Sequence, residues 1–567
     1  MRRLLPLLIA GLLAQGCAQN GDASTDAAGA DGVRLLVAER IHTSDPSRPQ
    51  AGAMAWDADG RIVEVGSAED LRSNWPGAEV VDLGDAVVVP GLIDSHGHLM
   101  SYGFSLMSAD LAGALDKAEV ISRLQAFAAD LPEGAWLQGR GWDQNLWPER
   151  EFPTAADLDE AFPDRPVWLV RVDGHAGWGN SEALRRAEAV EGARPLAGDW
   201  HPEGARIERV DGQASGVFVG GRARALVERA IPEQDEALRE QALERALAAA
   251  VSMGLTGVHD MGVSRADLAL FRRFADEGRL PLRVAAYAAG DGDAFADLCS
   301  NGLYTHDGGR LWMHGIKLFA DGALGSRGAA LKEEYSDDPG NHGLLAYEPA
   351  AYEDIVRRAH ECGVQVTTHA IGDRGNRAVL DAYANVLGDS AGPGHRWRIE
   401  HAQIVSVEDI PRFFALDVIA SMQPTHATSD MGWAGDRVGQ ERLVGAYAWR
   451  SMMDAGVRLA LGSDFPVESA DPRLGLYAAV TRQDRDGQPP GGWLPEQRMT
   501  AAEALEGFTA GSAYATRSEG EIGRLAPGLR ADFVVLGEDP LQVPAAQLDA
   551  LTVRATWVDG EAVYEVR

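Results

Sequence analysis

The sequence predicts an α/β protein: a TIM-like (β/α)8 barrel with an insertion after the first strand and a small β-sandwich domain formed from both chain ends. Between residues 90 and 520, eight apolar β-type runs alternate with helical stretches, and eight is the strand number of such barrels. Short β-type segments separated by turn signals occupy residues 33–89 and 521–567. The chain of 567 residues is long enough for one large core with accessory parts.

The first 17 residues have the organisation of an export signal. Arg2 and Arg3 precede an apolar stretch, and the small Gly16 stands before Cys17. The apolar stretch is too short for a permanent membrane helix. Its end resembles a bacterial lipobox, which predicts lipidation of Cys17; the alternative is a cleaved, soluble signal. Residues 18–32 are small and polar and are typical of a flexible tether.

This leader predicts an exported, periplasmic protein that touches the membrane only through a lipid anchor. The residue after Cys17 is Ala18, whereas an aspartate at this position would favour retention in the inner membrane. The resemblance to sorted lipoproteins therefore makes the outer membrane the expected location. The mature chain then keeps Cys299 and Cys362 besides the anchor. A disulfide between them can form in the periplasm, but we expect free buried thiols.

The formal net charge of −33 argues against a nucleic-acid partner. Phosphate binding needs clusters of Lys and Arg, and an acidic field repels a polyanion. The charge otherwise serves solubility and says little about a small-molecule substrate.

The end segments contain hairpin signals: DADG lies between two apolar runs near the start, and Asp559 and Gly560 lie at a similar turn near the end. The eight barrel runs are VVVPGLIDSH, GLTGVHD, PLRVAAY, MHGIKLF, VQVTTHA, RWRIEHA, IASMQPT and VRLALGSD. About 150 residues separate the first two runs, which is far more than one crossover helix needs. We therefore expect an inserted region at about 102–232, where RPVWLVRVDGH forms a strand outside the barrel count.

Ligand-type side chains stand at the ends of five of these runs, where barrels build their active sites. They are His96, His98, Lys317, His369, His401 and Asp464. His96 and His98 alternate along a strand and therefore share a face. Nitrogen and carboxylate ligands suit zinc, and six are too many for one tetrahedral ion, so we expect two divalent ions.

Lys317 is the unusual member of this set, because an ammonium group is repelled by metal cations. A neutral lysine that captures carbon dioxide becomes a carbamate, whose two oxygens can bridge both ions. The alternative is an ordinary ion pair with a carboxylate such as Asp321.

The motifs around these residues resemble the amidohydrolase superfamily, and within it the amidohydrolase-3, YtcJ-like branch that includes N-substituted formamide deformylase. The segments that carry the resemblance are PGLIDSHGHL, GRGWDQNLWPEREFPTAADLD, VDGHAGWGNSEAL, GLTGVHDMG, GIKLFADGALGSRGAAL, TTHAIGDRGNRAVLDAY, RIEHAQIV and GSDFPVESADPRLGLYAAVTR. They cover most of the chain from residue 90 to about 482, and GEIGRLAPGLRADFVVL matches the return to the β domain.

The resemblance implies a role for each strand-end residue. His96 and His98 hold the buried metal, His369 and His401 hold the second, and Lys317 bridges them as a carbamate. Asp464 binds metal, takes a proton from the bridging water and delivers it to the leaving amine. The implied reaction is hydrolysis of a carbon–nitrogen bond in a small amide, N-acyl or N-formyl compound, and the family also implies a homodimer.

Further candidates lie near the expected substrate. His175 is a candidate for polarising the substrate carbonyl, with a structural role as the equal alternative. The substrate-binding candidates are Trp142, Asp143, Asn180 and Arg327, although packing is the favoured role for Trp142 and a surface role is the alternative for Arg327. His259 and Asp260 end the second run and could support the metal ligands. His426 follows the seventh run, and a surface role is its alternative as well.

Two rival functions remain at this stage. A mononuclear deaminase, or a hydrolase of another bond on the same scaffold, would not need Lys317. A catalytically silent binding lipoprotein is disfavoured because every ligand position is intact.

Overall fold

The computed structural model describes residues 32–566 except 130, 133, 203 and 233–234. The predicted signal peptide, the lipidation site Cys17 and the tether up to residue 31 lie outside the described residues. Within the described part, no helix is both long and apolar enough to cross a membrane.

Both chain ends contribute to one mixed sheet. Strands and helices are numbered in chain order. The sheet contains β1 (Arg34–His42), β2 (Gln50–Trp56), β3 (Ile62–Gly66), β4 (Glu79–Asp82), β5 (Val87–Pro90), β21 (Phe533–Leu536), β22 (Val553–Val558) and β23 (Glu561–Glu565), and α1 (Ala68–Asn74) packs beside it. The strand order is β23-β22-β21-β5-β1-β2-β3, with β4 paired to β1. The central β5–β21 pair is antiparallel and joins the N-terminal strands to the C-terminal ones.

This sheet folds over its own core. The ring of Trp56 on β2 lies 5.8 Å from that of Phe533 on β21 and 6.0 Å from that of Trp557 on β22, although β2 pairs with neither strand. Buried apolar residues from six of the strands form one cluster between the two halves. The expected sandwich is thus a single continuous sheet rather than two separate ones.

The barrel sheet has eight parallel strands. They are β6 (Leu92–Gly97), β13 (Leu255–Val263), β14 (Arg283–Ala289), β16 (Leu311–Phe319), β17 (Gln365–Ala370), β18 (Arg398–His401), β19 (Ile419–Met422) and β20 (Leu459–Leu461), with the short β15 (Tyr304–Thr305) antiparallel to β16. Successive strands pair in chain order, and a parallel bridge between Gly97 and Phe465 brings the two edges together. The barrel prediction is confirmed, and each of the eight runs contains a barrel strand.

The first run divides where the sequence indicated one strand. Its N-terminal half is β5, which belongs to the terminal sheet, and its C-terminal half is β6 in the barrel. Gly91 separates them, and a side chain at this position would collide with Thr256, because its Cβ would lie 2.1 Å from the threonine hydroxyl. The chain therefore turns from one sheet to the other at a residue that has no Cβ.

Helices cover the outside of the barrel. They are α2 (Leu99–Ser105), α7 (Glu236–Ser252), α8 (Arg265–Asp276), α9 (Asp293–Asn301), α10 (Pro349–Glu361), α11 (Asp373–Leu387), α12 (Ile410–Leu416), α13 (Pro424–Asp430), α14 (Ala434–Val438), α15 (Trp449–Asp454), α16 (Pro472–Thr481), α17 (Ala501–Glu506) and α18 (Ser512–Ala515). In α8, Ser264 caps the first turn, and Leu268, Phe271 and Phe274 repeat at helical spacing on the buried face.

The inserted region lies between α2 and α7 and forms its own sheet. Its strands are β7 (Ala109–Asp110), β8 (Leu137–Trp142), β9 (Val167–Arg171), β10 (Ala176–Gly179), β11 (Arg206–Val210) and β12 (Gln213–Val219), and its helices are α3 (Lys117–Ala128), α4 (Ala156–Asp159), α5 (Ser181–Glu188) and α6 (Gly221–Glu228). The order β11-β12-β10-β9-β8-β7 places the expected strand, β9, near the centre. Two apolar clusters of its own hold this region together.

Cys299 and Cys362 form a disulfide, so the prediction of free buried thiols is wrong. Cys299 lies on α9, and Cys362 follows α10. These positions are 63 residues apart in sequence but have a Cα–Cα separation of 5.0 Å, within the range that a disulfide requires. Only the packing of the two helices shows this proximity.

Candidate active site

Four histidine rings meet at the carboxyl ends of the barrel strands. The ring of His401 lies 4.8 Å from that of His96 and 4.6 Å from that of His369, and the rings of His96 and His98 are 5.4 Å apart. Lys317 joins them, with its Nζ 3.0 Å from Nε2 of His96. Together with Asp464, these side chains are called the ligand cluster below.

The donors in this cluster fit a metal ion. His96, His401 and Asp464 are buried, and each offers one ligand atom such that all three atoms lie within 4.8 Å of one another. Imidazole nitrogen and carboxylate oxygen are the donors that zinc and similar divalent ions take. His98 is close by, with Nε2 3.1 Å from Oδ1 of Asp464.

The outer nitrogens of these rings are held by acceptors. Nδ1 of His96 lies 2.6 Å from a carboxylate oxygen of Glu400, and Nδ1 of His98 lies 2.7 Å from the carbonyl oxygen of Met261. Nδ1 of His401 lies 2.8 Å from Oε1 of Gln423. A histidine that donates from Nδ1 keeps a lone pair on Nε2, which is the arrangement that a metal ligand needs.

Glu400 is a functional residue that the sequence reasoning missed. It is fully buried, and its Oε1 lies 2.8 Å from Nε of Arg398. Burial raises the pKa of this carboxyl, but Arg398 and His96 outweigh burial and hold the pKa well below its usual range. A signal was present, because Arg398 and Glu400 are two residues apart in one fully buried strand, and such residues share one face.

Lys317 is almost completely buried at the end of β16. Burial lowers the pKa of its ammonium group to about 8, which brings a neutral amine within reach of physiological pH. The alternative partner, Asp321, instead accepts hydrogen bonds from the backbone amides of Ile371 at 3.0 Å and Gly372 at 2.8 Å. Its carboxylate is thus engaged by the backbone.

Asp464 is fixed from several sides. Its backbone has a φ of +61°, and its amide donates to the carbonyl oxygen of His96 at 2.6 Å. Oδ2 lies 3.5 Å from Nε2 of His426, whose Nδ1 is 3.3 Å from Glu468. Burial lowers the pKa of His426, but Asp464 and Glu468 together raise it to about 10. His426 is therefore a buried partner of Asp464 rather than a surface residue.

The ligand cluster lies in a cavity of about 1600 Å³ that the inserted region also lines. The ring of His175 lies 5.6 Å from that of His369, so the catalytic candidate reaches the cluster. Asp143 lines the same cavity and is paired with the buried Arg171, which also binds Asp173 at 2.7 Å. The inserted region thus forms one wall of the site.

Two of the substrate-binding candidates do not line the cavity. Trp142 is completely buried among Trp147 and Trp178, and its indole donates to the carbonyl of Leu169 at 3.0 Å. Asn180 is also buried and caps α5. Both side chains belong to the core of the inserted region, which agrees with the packing role favoured for Trp142 and corrects the substrate-binding assignment of Asn180 to structural support.

The other supporting candidates have clear positions. Arg327 lines the cavity, but its guanidinium is paired with Asp337 at 2.9 Å. His259 lies 3.0 Å from Arg398 and so supports the residue that holds Glu400. Asp260 accepts a hydrogen bond from the amide of Leu99 at 3.2 Å, and burial raises its pKa to about 8.

The sequence of this chain is similar to those of known amidohydrolases along most of its length. Residues 79–564 match the Amidohydrolase family. The chain is 33% identical to a putative amidohydrolase, YtcJ, of Bacillus subtilis over 89% of this chain and 95% of that protein. It is 29% identical to the N-substituted formamide deformylase of Arthrobacter pascens over 94% of this chain and 98% of that enzyme.

A solved structure shares the fold. The crystal structure of an uncharacterised metal-dependent hydrolase from Pyrococcus horikoshii is 30% identical, with a TM-score of 0.73. The match covers 91% of this chain and 99% of that protein.

Proposed function

The chain belongs to the amidohydrolase family of metal-dependent hydrolases, and from that premise we propose that it hydrolyses the carbon–nitrogen bond of a small amide, N-acyl or N-formyl compound. The observation that carries the proposal is the meeting of His96, His401 and Asp464 inside a large cavity. The similarity to an enzyme that acts on N-substituted formamides supports the bond type.

We assign the ligand cluster to two divalent ions, with zinc as the expected metal. His96 and His98 would hold one ion, His369 and His401 the other, and Lys317 as a carbamate would bridge them. When bound, such ions make water a stronger nucleophile and polarise a carbonyl group. Glu400, Gln423 and the carbonyl of Met261 orient the imidazoles for this task.

Asp464 is the proposed proton carrier. Its carboxylate accepts a proton from water while the water oxygen bonds to the substrate carbonyl carbon. The carbon–nitrogen bond then breaks, and Asp464 returns the proton to the leaving nitrogen, so the products are a carboxylic acid and an amine. We assign His175, whose ring lies 5.6 Å from that of His369, the donation of a hydrogen bond to the carbonyl oxygen as charge develops there.

Metal analysis coupled to a hydrolysis screen tests the proposal. The mature protein, loaded with zinc, should contain about two ions per chain and release amine from formamides, simple amides or N-acyl compounds. Chelation should remove the activity, and zinc should restore it. A metal-replete protein that cleaves none of these but deaminates or cleaves esters would contradict the assigned bond.

Lys317→Ala separates the two-metal proposal from a single-metal one. Because the bridge is lost, we expect the bound zinc to fall from about two ions to one and the kcat to fall by about 100-fold or more, an effect of the size found when a group that stabilises the developing charge is removed. Lys117→Ala, which removes a half-exposed lysine paired with Asp157, is the matched control. Full activity of Lys317→Ala with an unchanged metal content would exclude the carbamate bridge.

We further propose that the protein is exported and anchored by lipid at Cys17 to the outer membrane. The leader sequence and the Cys299–Cys362 disulfide support this, since disulfides persist in oxidising compartments. Denatured mature protein should show no free thiol before reduction and two after it, and Cys17→Ala should move the protein from the membrane to the soluble fraction. Recovery of an unprocessed chain with three free thiols would contradict export.

A further inference from the structure

Arg140 differs from Arg171 and Arg327, two other arginines that line the cavity. Its Nε donates to the carbonyl oxygen of Pro466 at 3.3 Å and its Nη2 to that of Val172 at 3.0 Å. Among the described residues no carboxylate lies within ion-pair distance of its guanidinium, whereas Arg171 and Arg327 are each paired with aspartate. Nη1 of Arg140 has no hydrogen-bond partner in the described part of the chain, and the side chain lines the cavity.

The surroundings of Arg140 favour an anionic guest. Burial lowers the pKa of its guanidinium to about 10, and Arg224 contributes to the decrease, while Asp464 and Asp173, which are not within ion-pair distance, act in the opposite direction. The group therefore stays charged at neutral pH in a place where the protein supplies no paired counter-ion. A carboxylate of a substrate would supply one through charge-assisted hydrogen bonds.

Arg140 also contacts a residue that is close to Asp464 in the chain. Its hydrogen-bond partner Pro466 is two residues after Asp464, the proposed proton donor to the leaving nitrogen. We therefore assign a carboxylate held by Arg140 to the half of the substrate that receives the proton from Asp464, which is the amine half.

An apolar surface borders the cluster at His369 and Lys317. The ring of Phe319 is 5.3 Å from that of His369 and 4.9 Å from Nζ of Lys317, and its residue is 39% exposed. Leu344 also lines the cavity and is 55% exposed. Exposed apolar residues that line a cavity are typical of contact with an apolar part of a ligand.

We propose that the substrates are N-acyl amino acids, with the carboxylate of the amino acid bound by Arg140 and an apolar acyl chain on Phe319 and Leu344. This inference rests on the proposed function, because it assumes cleavage of the bond between the acyl group and the nitrogen. Water adds to the acyl carbon, the carbon–nitrogen bond breaks, and the proton from Asp464 completes the free amino acid. The cavity of about 1600 Å³ has room for both halves.

The first test compares two substrates that differ in one charged group, N-hexanoylglycine and N-hexanoylglycinamide, on the zinc-loaded mature enzyme. We expect kcat/KM to favour the carboxylate by about 100-fold, the order of a lost hydrogen bond to a charged group. In Arg140→Gln this preference should disappear, mainly through a higher KM for N-hexanoylglycine.

Arg485→Gln is the matched control, since Arg485 is an exposed arginine at the same cavity and its replacement removes one positive charge. The preference should stay within about twofold in this variant if direct contact rather than the general field decides it. An unchanged preference in Arg140→Gln, or an equal loss in both arginine variants, would overturn the assignment of Arg140. An equal loss of activity on both substrates would show that Arg140 is only structural.

The second test concerns the acyl chain. The wild-type enzyme should prefer N-hexanoylglycine to N-acetylglycine, and Phe319→Ala should reduce that preference by about tenfold because apolar contact area is lost. Phe414→Ala, at an exposed phenylalanine that does not line the cavity, is the control. Equal preferences in the two variants would overturn the role of Phe319.

The proposed substrate class and the proposed hydrolysis of a carbon–nitrogen bond can be contradicted separately. If the enzyme cleaves formamides or neutral amides but neither discriminates for the carboxylate nor accepts N-acylglycines, the substrate class is wrong and the proposed function stands. If the zinc-loaded enzyme cleaves no carbon–nitrogen bond, the proposed function itself fails.

Discussion

The ligand cluster on the barrel and the wall from the inserted region face the same cavity but are built differently. The members of the cluster come from the ends of parallel strands and touch one another directly, as His96 does with Lys317. The wall residues come from a separate sheet and are held by ion pairs such as Arg171 with Asp173. Arg140 is the exception on the wall, because it has no such pair among the described residues.

The difference separates two tasks. Strand ends in a closed barrel hold side chains at fixed distances, which a metal centre requires. A sheet inserted between α2 and α7 can change in sequence without altering the barrel, which suits the choice of substrate. We therefore expect changes in the cluster to lower kcat or metal content, and changes in the wall to act mainly on substrate preference.

Asp464→Asn should have the largest effect. It removes the proposed proton carrier and a metal ligand while keeping the side-chain shape, so kcat should fall by at least about 10³-fold. Asp110→Asn, at an exposed aspartate that also lines the cavity, should change kcat by less than about threefold. A kcat for Asp464→Asn within tenfold of wild type would remove Asp464 from the chemistry.

His175→Gln tests whether the division of tasks is complete. If His175 stabilises the developing charge on the carbonyl oxygen, kcat should fall by about 100-fold although the residue belongs to the wall. The zinc content should stay unchanged, which distinguishes this variant from changes in the cluster. If only KM changes, the barrel residues alone supply the chemistry, and the division of tasks between the ligand cluster and the wall is complete.

Glu400→Gln should loosen the cluster without touching the substrate. The loss of the carboxylate that orients His96 should weaken zinc binding by about 10-fold to 100-fold, measured by competition with a chelator. The buried Arg398 would also lose its counter-ion, so the free energy of unfolding should fall by about 3 kcal/mol in urea titrations. An unchanged zinc affinity would show that the other contacts of His96 are sufficient to orient its ring.

Asp260→Asn should have the smallest effect on kcat, and its effect on the free energy of unfolding should depend on pH. The folded state keeps a proton on Asp260 up to its pKa of about 8, whereas the unfolded chain releases it near 3.8. The contribution of Asp260 to the free energy of unfolding of the wild type therefore falls as the pH rises between these values, by up to about 1.4 kcal/mol per pH unit. Urea unfolding should show Asp260→Asn more stable than wild type at pH 8 and similar at pH 4, and a difference that does not depend on pH would contradict this.

Much of the fold and of the ligand cluster was accessible from the sequence. Alternation of β-type and helical runs predicted the eight strands, and the position of each ligand at a strand end predicted that they meet. A motif in a loop-rich insertion does not show which side chains face its core, so substrate binding by Asn180 was not supported, whereas the packing role favoured for Trp142 agrees with its burial. Glu400 was missed because its role depends on a contact with His96, which is 304 residues away in the sequence.

By itself, the sequence determined the order of the strands and which residues stand at their ends, because side-chain direction along a strand follows from local alternation. Only the tertiary structure decided which distant segments touch: the folded sheet of the two chain ends, the Cys299–Cys362 bond, and the place of Arg140 beside Pro466, 326 residues away. The physical reason is that these contacts arise from the packing of whole elements, which no local pattern encodes.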